Sequence, residues 1–244
     1  MNINGKTAIV TGGAHRVGRA ITLELARAGA NVVINFHSSA EKAKNTADEA
    51  TSHGVGALTV QADIANEDQI IQMVAAAHQE FGSVDILVNS ADPFDPTPFP
   101  TNDSSAWHRK INTAIHGAFY CANAAAPLML DRGEGVIINI VDLSVWKPSR
   151  GFAAHSVAKA GLMAFTRQLA LDLAPTIRAN AIAPGPVLPP PDYDEATIER
   201  IGNRTLLKRW GKAEDVSQAA RFLIEADYIT GEVIVVDGGE RYAP

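Results

Sequence analysis

Short runs rich in Val and Ile alternate along this chain with longer Ala-rich stretches whose apolar residues recur at helical spacing. Strands are expected at Lys6 to Thr11, Asn31 to Phe36, Ala57 to Gln61, Val84 to Asn89, Gly135 to Val141, Arg178 to Ile182 and Glu232 to Val236. Helices are expected between them, at Val17 to Ala28, Ala40 to His53, Glu67 to Phe81, Ser104 to Ala126, Ala153 to Leu173 and Ala213 to Glu225. Several strands are near-continuous apolar runs, as parallel strands covered by helices on both faces require, whereas half-exposed strands would alternate. Repeated βαβ units around one parallel sheet follow. Two Pro-rich segments stand outside the pattern, Asp92 to Asn102 and Pro184 to Arg204. Both follow strands, and loops after strand C-termini wall the ligand crevice of such sheets, so they are the expected substrate walls.

Composition narrows the classes. The 244 residues allow one generous domain, and no linker, repeat or low-complexity tract divides them. Lys and Arg number 21 against 27 Asp and Glu, a net charge of −6. That sign argues against nucleic acid or an anionic membrane as a partner, since phosphate-backbone binding rests on basic surface. One cysteine, Cys121, permits neither an internal disulfide nor a cysteine cage for a metal, and reads as a small packed helix residue. The start carries no secretory pattern and no apolar run approaches a membrane span. A cytoplasmic protein is the expectation.

The first chemistry lies where Thr7-Ala8-Ile9-Val10 enters Thr11-Gly12-Gly13-Ala14-His15-Arg16-Val17-Gly18 and a helix begins. Glycines at a strand-to-helix turn let backbone approach a pyrophosphate, which then meets the free amides and positive dipole end of the helix. A plain tight turn is the competing reading. At the end of the second strand, His37-Ser38-Ser39 holds no carboxylate of the kind that grips a ribose 2′-hydroxyl. His37, Ser38, Ser39 and the nearby Arg16 are instead candidate donors to a 2′-phosphate, so NADP(H) is favoured over NAD(H). A polar loop capping the next helix is compatible with that assignment.

The spacing Thr-Gly-x-x-x-Arg-x-Gly resembles the glycine motif of the short-chain dehydrogenase/reductase family, with Arg16 where most members have a second Gly. The likeness continues through Asp63-Ile64, similar to the acidic adenine-side motif, and Asn89-Ser90-Ala91, similar to the family's Asn-Asn-Ala-Gly. Asn112 matches the helix asparagine, Pro184-Gly185 the turn after the sixth strand, and Val236-Asp237-Gly238-Gly239 the closing strand. The resemblance implies a single-domain, Rossmann-like, doubly wound α/β fold with a seven-stranded parallel sheet. It places Gly12, Arg16, Val17, Gly18, His37, Ser38, Ser39, Asp63, Ile64, Asn89, Ser90, Ala91, Lys159, Pro184 and Gly185 against the cofactor.

At the catalytic positions the pattern departs from the family. The Tyr-x-x-x-Lys pair reads His155-Ser156-Val157-Ala158-Lys159, and the serine position after Val141 is Asp142. Asn112, Asp142, His155 and Lys159 are the catalytic candidates. The pteridine reductases of the family likewise have Arg in the glycine loop, Asp at the serine position and a Phe where Phe94 stands, which the resemblance sets over a planar ring by stacking. Phe94, Asp142, Trp146 and Tyr193 are the substrate candidates. Asp92 replaces a small hydroxyl residue, and beside cofactor phosphates a carboxylate is unfavourable unless it turns away. The leading expectation is an NADPH-dependent reductase of a pteridine-like heterocycle or carbonyl compound. The alternatives are a cofactor-binding protein that has lost catalysis and serves as sensor or subunit, and a conventional 3-oxoacyl or alcohol oxidoreductase. The resemblance further implies a homotetramer paired through the helices 104–126 and 153–173, where Ala122, Ala124, Ala125, Ala158, Ala160 and Gly161 permit close approach.

Overall fold

The computed structural model describes residues 1–243. Seven strands, β1 (Thr7–Val10), β2 (Asn31–Phe36), β3 (Ala57–Gln61), β4 (Ile86–Asn89), β5 (Gly135–Ile140), β6 (Ile177–Pro184) and β7 (Val233–Val236), form one sheet in the order 3-2-1-4-5-6-7. Every pairing is parallel. This is the doubly wound α/β fold, with its order reversing between β1 and β4, where Ala8, Ile9 and Val10 lie opposite Ile86, Leu87 and Val88. Helices α1 (Arg16–Arg27), α2 (Ala40–Thr51) and α8 (Ala213–Glu225) cover one face; α3 (Glu67–Phe81), α5 (Gly117–Arg132) and α6 (Ala153–Leu173) cover the other.

The strand side chains divide between two cores as a period of two demands. Ala8, Val10, Val32, Ile34, Ile86 and Val88 pack under α1, α2 and α8, whereas Ile9, Val33 and Leu87 pack under α3 and α5. Because both faces are filled, no polar alternation is left in the sequence of these strands. Among the described residues no helix is long and apolar enough to cross a membrane, and no His, Cys, Asp and Glu group could hold a metal ion.

Two expectations change. The long helix 104–126 is instead α4 (Ser105–Ile111), a wide π turn at Asn112–His116, and α5, which continues through Pro127 to a left-handed Gly133. Pro127 removes one helical donor, but the turn beyond it seats Met129 in the core, so packing outweighs the lost bond. Within the segment taken as irregular, α7 (Glu195–Gly202) forms with Asp194 accepting from the Thr197 amide at 2.8 Å. The indole of Trp210 donates to the Ile198 carbonyl at 2.7 Å and fixes that helix against the body.

Candidate active site

The strand C-terminal edge carries two adjoining clefts. The first, of about 540 Å³, begins at the glycine turn and is lined by Gly12, His15, His37, Ser38, Ser39, Asp63, Ile64, Ala91, Asp92 and Asn112 among others. Its walls are knitted by side chains of the loops themselves. Asn35, at the end of β2, accepts from the Gly12 amide and donates to the Ala62 carbonyl, while Thr11 Oγ1 accepts from the amides of Ser90 and Ala91. Gly12 has φ of +62° and a side chain there would meet Ala91 Cα at 2.9 Å; at Gly18 it would meet the Gly12 carbonyl at 2.2 Å. The space is one that only bare backbone leaves open. His15 precedes α1 with no side chain capping that helix, so its first amides face the cleft. Asn89 Oδ1 is buried beside Ala91 and Lys159 without a hydrogen-bond partner, an acceptor kept for a ligand donor. These features fit a dinucleotide.

One member of the candidate phosphate set falls elsewhere. Arg16 has φ of +53°, is exposed, and donates to the Leu188 carbonyl rather than lining the cleft with Ser38 and Ser39. The left-handed backbone at the head of α1 turns its side chain toward the loop after β6. His15 takes a place on the wall instead, and burial together with the charges of Lys42 and Arg16 lowers its pKa. Sequence reasoning passed over His15 as a wall residue; a basic residue next to the glycine turn was the available signal. Val17 is half-buried against the core, and Gly18 is buried.

Between the clefts lies a connected set of charged side chains. Lys159 projects from α6 and donates to the Ile140 carbonyl at 2.6 Å and to Asp92 at 2.9 Å. Asp92 also bonds Lys110 of α4, so this carboxylate on the wall of the first cleft is held between two ammonium groups. Burial works to raise the Asp92 pKa, but Lys159 and Lys110 overcome it and hold the acid below its ordinary value. Burial is the main reason that Lys110, only 3% exposed, is lowered to about 8, with Asp92 resisting. Lys110 was not among the expected site residues, for nothing in a helix sequence shows which lysine faces inward.

His155, 4% exposed, is one turn before Lys159. Its Nε2 contacts Asp142, and its Nδ1 is buried, unpartnered, and 3.8 Å from Asp92. The Asp142 carboxylate also accepts from the Ser144 amide at 2.8 Å and from the Ser144 hydroxyl. Burial pushes Asp142 upward, but the His155 hydrogen bond and charge, with Lys159 and Ser144, outweigh it and hold the group down to about 2. At neutral pH it is an ionised acceptor, so the hydrogen in its contact with His155 resides on Nε2. Nε2 of His155 is thus engaged within the cluster, while the ring itself lines the second cleft.

The second cleft, about 640 Å³, is lined by Phe94, Asp142, Trp146, Phe152, His155, Pro184 and Gly185, with Lys147, Arg204, Glu240 and Arg241 also on its walls. Phe94 stacks on Phe152 at 4.8 Å and meets the His155 ring edge-on at 4.9 Å. Tyr193 is not part of it: that ring packs edge-on to Trp210, where α7 returns to the body. Of the small residues expected between subunits, Ala122, Ala125 and Ala158 are spent inside the chain's own core. Cys121 is buried, and burial raises its thiol to about 12.

Comparison with known proteins agrees with this architecture. Residues 12–240 match the family described as enoyl-(acyl carrier protein) reductase. The 3-oxoacyl-[acyl-carrier-protein] reductase of Staphylococcus epidermidis is 34% identical over 241 residues, covering 96% of this chain and 98% of its own. A Sinorhizobium meliloti protein provisionally assigned as a short-chain alcohol dehydrogenase superposes with a TM-score of 0.93 at 32% identity, each chain fully covered. A blue fluorescent protein from a metagenomic library, solved in complex with NADPH, superposes at 0.89 with 31% identity, covering 98% of this chain and 99% of its own.

Proposed function

The chain belongs to the short-chain dehydrogenase/reductase family of oxidoreductases, and from that premise we propose that it is an NADP(H)-dependent reductase of a polarised double bond in a small molecule. The observation that carries this reading is the meeting of the bare glycine cleft with the Lys159, His155 and Asp142 cluster at one edge of the sheet. Gly12 and the amides at the head of α1 would receive the pyrophosphate, Asp63 and Ile64 the adenine side, and Asn89, Lys159, Pro184 and Gly185 the nicotinamide half. The absence of an acid after β2, with Ser38, Ser39, His37 and His15 on the wall, supports NADPH over NADH. When bound, the reduced cofactor supplies a hydride.

Within the protein, Asp92 anchors Lys159, which anchors the strand edge at Ile140, so the lysine is held in one position. Asp142 holds His155 by Nε2 and is itself held by Ser144. Among substrates, the names of the relatives favour a 3-oxoacyl thioester over a pteridine. The exposed Phe94 over the second cleft supports a planar heterocycle as the second reading. We place the protein in the cytoplasm and expect it to self-associate through the outer faces of α5 and α6, where Phe119 and Leu171 are exposed.

Nicotinamide fluorescence titrations with NADPH and NADH, followed by absorbance assays with an acetoacetyl thioester and with dihydrobiopterin, test the reading. Tight NADPH binding with consumption of either substrate upholds it. Binding without turnover of any carbonyl or heterocycle would transfer support to a sensor or subunit role.

A further inference from the structure

Asp92 is an acid on the wall of the first cleft, where an uncovered carboxylate would repel the phosphates of a dinucleotide. Two lysines cover it. Lys110 reaches the carboxylate from α4 and also donates to the Pro93 carbonyl at 2.7 Å, while Lys159 reaches it from α6 at 2.9 Å. With Asp142 close enough to act on both lysines, the two carboxylates balance the two ammonium groups. Each lysine therefore counts. Of the described residues, Lys110 lines neither cleft; it stands behind Asp92 and acts on the first cleft through its charge.

The groups packed around Lys110 come from several elements. The loop after β4 supplies Asp92 and the Pro93 carbonyl, and the loop after β5 supplies Asp142. From α6 come Lys159 and, on the far side of Asp92, His155 with Nδ1 3.8 Å from that carboxylate. On α4 itself Arg109 turns to Asp95. Burial lowers the Lys110 pKa most, Asp92 opposes, Lys159 adds to the lowering and Asp142 opposes, which leaves the group at about 8. Its charge is thus lost well before that of an ordinary lysine.

We propose that Lys110 is a positioning residue for the cofactor: its charge on Asp92 keeps the wall of the first cleft neutral, and loss of its proton uncovers the carboxylate and weakens the binding of NADP(H). The proposal rests on the dinucleotide reading of that cleft. The cofactor is an anion, so its arrival favours the charged form of Lys110, and by linkage binding near pH 8 must take up protons. Between pH 7 and pH 9 the cofactor's own charge is steady, since a phosphate monoester completes its titration near pH ~6.

The test follows NADPH binding to the full chain and needs no turnover. Fluorescence titration gives the affinity at pH 7 and pH 9, and calorimetry at pH 8 in two buffers of different ionisation enthalpy gives the protons taken up. One unit of charge lost from the wall should weaken binding about tenfold in Lys110→Met at pH 7, and about fivefold in the unsubstituted protein between pH 7 and pH 9. The variant should show neither the pH dependence nor the proton uptake. Removing one partner of a buried ion pair destabilises a fold, whereas replacing both is often neutral, so Lys110→Met is paired with a double variant that adds Asp92→Asn. The double variant should bind NADPH within about twofold of the unsubstituted protein at both pH values. A lysine that served packing alone would not be rescued in this way. Affinity that is flat from pH 7 to pH 9 with no proton uptake overturns the proposal and leaves the dinucleotide reading intact, as does a double variant that has lost about a factor of ten. Failure of the unsubstituted protein to bind NADPH or NADH at either pH overturns the dinucleotide reading and the proposal with it.

Discussion

Changing His155 to Tyr by itself would set a phenol against an ionised carboxylate, where the His155 ring now sits on Asp142. The two positions share one hydrogen bond, so their substitutions should not add. The double variant Asp142→Ser with His155→Tyr restores a hydroxyl pair beside Lys159, and a positioned general acid is typically worth about 10²–10⁴-fold. Ketone reduction in the double variant should therefore exceed that of either single variant by at least about tenfold, measured by NADPH consumption. At the other end of the cleft, Ser38→Asp puts a carboxylate where a 2′-phosphate would lie, and should reverse a preference for NADPH of at least about tenfold, about 1.4 kcal/mol; fluorescence titration checks it. Asp142 also predicts a pH effect. Its pKa is lowered from 3.8 to about 2, so its contribution is fully present above pH ~4 and is lost as pH falls through the folded value. At roughly 1.4 kcal/mol per unit this amounts to about 2 kcal/mol. The urea midpoint should fall between pH 5 and pH 2, and fall less in Asp142→Asn.

The elements are placed by the two cores, and at the cleft by a few close contacts of the glycine turn with α1 and the loop after β4. Gly18 is the sharpest case, since a methyl group there would lie 2.2 Å from the Gly12 carbonyl. Gly18→Ala should weaken NADPH binding and cost about 1–3 kcal/mol as an overpacked site, read as a lower urea midpoint with an unchanged slope. The spacing of this glycine was visible in the sequence; the carbonyl that it must clear was not, because that depends on how α1 leans on the turn. Buried on both faces, β1 and β5 write that burial into every position, whereas β3 is part-exposed; the strands were legible to within two residues at their ends. The π turn at Asn112–His116 was not, because α4 and α5 share one helical period and only packing decides where the ladder slips. Likewise α7 was hidden by prolines before it, although Asp194 three residues ahead of Thr197 was a capping signal.

For the molecule as a whole, the buried Cys121 thiol, raised to about 12, is a reporter of unfolding. It should resist a disulfide reagent in native buffer and react in urea along the same transition as secondary structure. Sedimentation tests the self-association: the expected mass exceeds that of one chain, and Phe119→Asp, at a side chain 45% exposed on α5, should lower it toward the single chain.

Periodicity, the absence of an acid after β2, and the ordered motifs from Gly12 to Gly239 determine by themselves a parallel doubly wound sheet and an edge built for a dinucleotide. They do so because backbone period and glycine freedom are local properties, carried by neighbours in the chain. The charge cluster was decided only by the tertiary structure. Asp92 and Lys110 lie 18 residues apart, and Asp142 and His155 13 apart. The sequence showed three of these residues as oddities and the fourth not at all. Whether a carboxylate repels a cofactor, anchors a lysine or captures an imidazole depends on which charges share its low-dielectric surroundings, and folding alone brings those charges together.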